Sequence, residues 1–130
     1  MAGLVTMKKL ALKLMKKHKL TQEGWTFQWD HAKTRYGLCN HTDMTIQLSK
    51  YLTKVCDEDV IKDTILHEIA HALDMEENGT SSHHGLRWRK ICVRIGALPN
   101  RLGPELLDEK RLKLKQLHYN YEEEKRYRKS

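Results

Sequence analysis

The sequence predicts a single α+β domain in which an opening helix and a small antiparallel sheet precede a run of helices. Three observations carry that expectation. The chain has 130 residues, 39% hydrophobic and 32% charged, enough to bury one core beneath a solvated surface. Aromatics alternate with polar residues in Trp25, Phe27 and Trp29, the period of a half-buried strand. Ile61, Ile65, Ile69 and Leu73 recur every fourth residue, the period of a helix with one apolar side.

Residues 4–20 read as the first helix, with Met7, Leu10 and Leu14 about a turn apart and lysines between them. Residues 21–24 break it. A strand is expected over 25–30, and two more over 34–39 and 44–48. The last two are joined by Asn40, His41, Thr42 and Asp43, a turn-prone run. Ser49 starts a short helix through Val55. Asp57, Glu58 and Asp59 then place acids where the free N–H groups and dipole of a longer helix, 60–75, favour them. A polar loop over 78–82 ends that helix. Trp88, Ile91, Cys92 and Ile95 give the next, over 85–95, its apolar face. A linker at 99–104 leads to a charged final helix over 105–128.

Charge is unevenly distributed within the net +7. Residues 1–20 carry six lysines and no acid, and residues 110–130 carry eight basic and three acidic side chains, leaving the middle acidic. Basic ends are suited to follow a phosphate backbone, so contact with DNA through the termini is one expectation, although a basic helical face is more often merely solvated. Cys39, Cys56 and Cys92 are odd in number and form no CxxC pair, which argues against a zinc ribbon or a disulfide framework. No stretch has the apolar length to span a bilayer, and the opening lacks the pattern of a secretion signal. The expected setting is cytoplasmic, with reduced thiols and no membrane partner.

The chemistry concentrates in His67-Glu68-Ile69-Ala70-His71. Two histidines four apart on a helix project from one side, about 6 Å apart along the axis. Both imidazoles can bind one zinc, and a site of imidazoles without thiolate suits that metal. Glu68 then lies beside the metal, where it can take a proton from zinc-bound water and later deliver it to a leaving amine. The pattern is a metallopeptidase signature. A catalytic zinc needs a third protein ligand and an open position. Asp74 is about 10 Å along the axis from His67, too far to share the ion, and is better placed to hold a histidine ring. Glu76 and Glu77 are expected in solvent. His83 and His84 both follow a loop long enough to fold back, and spacing alone does not choose between them.

Other residues carry weaker signals. Trp25, Trp29 and Trp88 are expected in the core, and Cys39 and Cys92 as buried apolar side chains. His31 and His41 are expected on the surface or in loops. Arg35 and Tyr36 are weaker candidates for steadying an oxyanion.

Arg35-Tyr36-Gly37-Leu38-Cys39, Ile46-Gln47-Leu48-Ser49, the HExxH motif continuing into Ala72 and Leu73, and His84-Gly85-Leu86-Arg87-Trp88 closing on Ile95-Gly96 follow one another in an order that resembles the SprT-like domain family. The resemblance implies a minimal zincin-like metallopeptidase domain over residues 1–103, with the small antiparallel sheet beside the active-site helix. It implies His67, His71 and His84 as zinc ligands and Glu68 as the catalytic acid and base. Many members add a zinc ribbon; here a basic helical extension over 104–130 is expected in its place. The expected activity is hydrolysis of peptide bonds in unfolded or DNA-associated proteins by a monomeric enzyme. The rival is a zinc-stabilised nucleic-acid-binding module without turnover, which would have no need of Glu68 and would close its metal with a fourth ligand.

Overall fold

A computed structural model describes residues 3–80 and 83–99. The final helix expected over 105–128, and with it the boundary at 103, lies outside the described residues. Among the described residues, four helices and three strands follow in the order α1 (Leu4–Lys17), β1 (Thr26–Asp30), β2 (Gly37–Asn40), β3 (Thr45–Ser49), α2 (Lys50–Val55), α3 (Glu58–Asn78) and α4 (Leu86–Ile95), with a 3-10 turn at Thr21–Glu23. The architecture is α+β, as the sequence predicts.

Helix α1 buries Met7, Ala11, Leu14 and Met15 along one stripe and exposes its lysines. It ends three residues before the expected point because Lys19 takes a left-handed turn (φ 65°), letting the Leu20 N–H reach back to the Met15 carbonyl at 2.9 Å. Ser49 caps α2: its Oγ accepts the Leu52 N–H at 3.1 Å and donates to the Ala32 carbonyl at 2.6 Å. Helix α3 starts two residues earlier and ends three later than expected. Asp57 holds the N-cap position, and Gly79 at φ 74° closes the far end through its N–H to Met75 O at 2.8 Å.

The sheet corrects one expectation. Its order is β1-β3-β2, with β2 antiparallel to β3 but β1 parallel to it, pairing Thr26 with Thr45 through Asp30 with Ser49. The turn after β2 is held by Asn40, whose Oδ1 accepts the Asp43 N–H at 3.0 Å, and it folds β3 back at once. Residues 31–36 leave a gap beside β1 that β3 fills, so β3 runs with β1. Ile46 and Leu48 of this central strand are fully buried.

Helix α3 is the spine of the domain. Ile61, Ile65 and Ile69 are fully buried on it, and α1, α4 and β2 all pack against it. Trp88 of α4 is also fully buried. Among the described residues no helix is long and apolar enough to cross a membrane.

Candidate metal centre

Helical spacing sets His67 and His71 on adjacent turns of α3, facing the start of α4. The loop between the helices carries the third histidine. His83 adopts a left-handed backbone (φ 55°), rare for a residue with a side chain, and this turn delivers His84 to the pair. The Nε2 atoms of His67, His71 and His84 stand 3.3 Å from one another in all three pairs. Bonds of about 2.0–2.1 Å directed to tetrahedral corners put donor atoms about 3.3–3.4 Å apart. The three nitrogens therefore have the spacing of one face of a tetrahedral metal site. Three imidazole nitrogens held in a closed triangle cannot all satisfy one another as donors and acceptors, and a cation resolves the conflict. Among the described residues these three are the group able to hold a metal, with no fourth ligand joining them. His83 lines the cleft outside the triad.

Burial keeps His67 and His71 free of protons. It lowers the His67 pKa to about 4, helped by His84, and that of His71 to about 3, helped by the neighbouring imidazoles. Both rings are neutral at pH 7, so a metal meets lone pairs rather than protons.

Trp88 is the feature that sequence reasoning placed only in the core. Its ring stacks on His71 (centroids 5.0 Å apart, planes at 17°) and meets His67 and His84 edge-on at 4.7 Å each. Its Nε1–H donates to the His67 carbonyl at 3.4 Å. One indole thus fixes all three rings. The period of α4 shows that Trp88 is buried and carries no signal of what it is buried against.

Asp74 is fully buried on α3, and its Oδ1 accepts from Asn78 Nδ2 at 2.9 Å and Arg87 Nε at 3.2 Å. Arg87 reaches on to the Thr80 carbonyl at 3.0 Å. The Asp74 carboxylate also acts on His71 electrostatically. Glu76 and Glu77, expected in solvent, are exposed but engaged: Glu76 accepts from Trp25 Nε1 at 2.8 Å and Glu77 from Arg94 at 2.6 Å.

Glu68 stands beside the triad, 8% exposed, in a cleft of about 520 Å³ that the three histidines also line. Burial raises its pKa to about 8, and a hydrogen bond from the Cys39 backbone and the charge of Arg35 restrain the rise. Strand β2 forms the opposite wall. Gly37 makes that approach feasible: a Cβ there would lie 2.8 Å from Thr64 Cγ2 and 3.1 Å from Glu68 Cγ. Cys39 and His41, read from the sequence as core and surface, both line the cleft, with Sγ and Nδ1 3.8 Å apart. Cys92 is buried as expected. His31 is exposed, and Trp25 is buried while Trp29 packs partly buried against the core.

The SprT-like family model matches residues 6–124, nearly the whole chain. Among solved structures, the crystal structure of the metallopeptidase zymogen jannalysin of Methanocaldococcus jannaschii is similar, with a TM-score of 0.55 and 22% identity over 85% of this chain and 94% of that one. At that identity the likeness is one of fold. Among curated proteins none matches.

Proposed function

The chain belongs to the SprT-like family, and from that premise we propose that it is a zinc-dependent metallopeptidase whose Glu68 moves the proton of peptide-bond hydrolysis. The observation that carries the reading is the tetrahedral spacing of the three Nε2 atoms, 3.3 Å in each pair, with Glu68 in the same cleft. His67, His71 and His84 would hold the zinc, which when bound would supply Lewis acidity towards a carbonyl and towards water.

The chain's own groups do the rest. The Glu68 carboxylate accepts a proton from water as the water oxygen adds to the carbonyl carbon. It returns that proton to the leaving nitrogen as the C–N bond breaks. A carboxyl group poised near neutrality suits both halves of this exchange, and burial with one backbone donor sets that poise. Trp88 and the Arg87–Asp74 contact hold the ligand rings and the loop that carries His84. The substrates we propose are unfolded or DNA-associated proteins, with the lysines of α1 holding the enzyme near nucleic acid.

A structural module would close its zinc with a fourth ligand, and among the described residues none stands with the triad. Elemental analysis and peptide hydrolysis on wild type, Glu68→Gln and His84→Ala test the reading. Wild type and Glu68→Gln should each retain zinc, His84→Ala should lose it, and only wild type should cleave. Undiminished cleavage by Glu68→Gln, or full zinc in His84→Ala, would sink the proposal.

A further inference from the structure

Among the described residues, the cleft holds one strong cation that neither binds metal nor moves a proton. Arg35 lines it beside Glu68, in the connection between β1 and β2. Its Nη2 donates to Asp30 Oδ2 at 3.0 Å, and the side chain remains 49% exposed. Asp30 occupies one corner of the guanidinium fork, and the other N–H groups remain for a second acceptor.

The backbone around Arg35 is held in place. Asp30 Oδ1 accepts the Ala32 N–H at 3.0 Å, the Ala32 carbonyl accepts from Ser49 Oγ at 2.6 Å, and the Tyr36 carbonyl accepts the Ser49 N–H at 2.9 Å. A fixed stem with a half-exposed, partly engaged head is the form of a recognition residue. An oxyanion donor has to be preorganised in a dry site, and a side chain half in water is not.

Charge and position then define what Arg35 meets. Two residues on, Gly37 packs so closely on Glu68 that a Cβ there would lie 3.1 Å from Glu68 Cγ, and this places Arg35 at the Glu68 end of the cleft both residues line. Among the described residues, Glu68 is the cleft's one lining carboxylate, against Arg35 and five histidines. The nitrogen that receives the Glu68 proton belongs to the leaving half of the peptide, so that half lies on the same side. We propose that Arg35 is a specificity-determining residue that binds a carboxylate on the leaving half of the substrate, from an acidic side chain or from the chain's C-terminus. This deepens the hydrolase reading above and rests on it.

The test uses the zinc-loaded full chain and one unstructured fluorogenic peptide, varied only after the scissile bond. Glu, Gln or Lys follows the bond in one arm. In the other, the Gln peptide ends shortly after the bond as a free acid or as an amide. Wild type should favour the carboxylate-bearing member of at least one pair by about tenfold in kcat/KM, through KM. The arm that shows the preference identifies the source of the carboxylate. Arg35→Ala should raise KM for the favoured peptide to that of its neutral partner, and Arg35→Glu should shift preference towards Lys. Binding of the same peptides to zinc-loaded Glu68→Gln, read by fluorescence anisotropy, should follow the same order without turnover. Equal treatment of acidic and neutral peptides by wild type, or a preference surviving in Arg35→Ala, overturns the proposal. So does an equal fall in kcat for every peptide in Arg35→Ala with KM unchanged, which would mean that the Arg35 charge acts on Glu68 or the oxyanion and not on a substrate carboxylate. If wild type cleaves nothing while anisotropy shows the Arg35-dependent preference, the hydrolase reading fails and the carboxylate site stands.

Discussion

Glu68 and the two histidines flanking it are held in opposite protonation states by the same burial. His67 and His71 have pKa values lowered to about 4 and about 3, so in the metal-free fold they stay neutral where an unfolded chain would take up protons. Their stabilising contribution is present above about pH 6.5 and is lost as pH falls towards those values. Glu68 has the reverse sign. Its pKa is raised to about 8, so its contribution is present below about pH 4.5 and is lost as pH rises through 8. Metal-free Glu68→Gln should therefore have a higher denaturation midpoint than wild type at pH 9, by roughly 1–3 kcal/mol, with the gap narrowing at pH 6. A gap of equal size at both pH values would mean that Glu68 is not the buried acid described. The histidines and Glu68 were legible in the sequence because an i, i+4 pair on a helix determines its own geometry. Arg35, a weaker candidate from the sequence, does line the cleft, whereas Trp88 owes its place against the histidines to packing between elements, about which local spacing carries no information.

The site depends on two approaches between elements. Strand β2 comes close enough to α3 for the Cys39 backbone to reach Glu68 because position 37 has no side chain. Gly37→Ala would push a methyl group onto Thr64 and the Gln47 carbonyl, 2.8 and 3.2 Å away, and onto Glu68 itself. Hydrolysis should fall by about a hundredfold with zinc retained, since a shift of about 1 Å at a proton-transfer group has that effect. Unchanged turnover would mean that β2 yields without disturbing Glu68. The second approach is the loop from α3 to α4, clamped through Arg87 to Asp74 and Thr80. Arg87→Ala should weaken zinc affinity about tenfold, measured by competition with a chelator, because the backbone delivering His84 loses its brace. At this scale the described helices α1, α3 and α4 were legible from their apolar periods, and their ends were displaced by local caps such as Gly79 and the left-handed turn at Lys19. The parallel pairing of β1 with β3 was not legible. Alternation gives a strand its two faces, whereas its neighbour is chosen by which apolar strand fills the centre, here Ile46 and Leu48.

Among the described residues, the lysine-rich face of α1 is set apart from the metal cleft. Helix α1 turns Met7, Ala11, Leu14 and Met15 into the core, leaving Lys8, Lys9, Lys13, Lys16 and Lys17 exposed on a helix without an acid. None of these lysines lines the metal cleft. The separation allows the two properties to be tested independently. Replacing the five lysines with glutamine should leave hydrolysis of a short peptide and zinc content unchanged, because the cleft and its supports are untouched. If α1 holds the enzyme near nucleic acid, the same variant should bind duplex DNA more weakly at low salt. The slope of log affinity against log salt should also flatten, by about 0.9 for each phosphate that α1 no longer neutralises. An unchanged slope would remove α1 from the interface. A slope that flattens while cleavage of a DNA-bound protein substrate stays at the wild-type rate would show that α1 binds DNA without directing the protease, and the proposed substrate class would then have to be drawn from unfolded proteins alone.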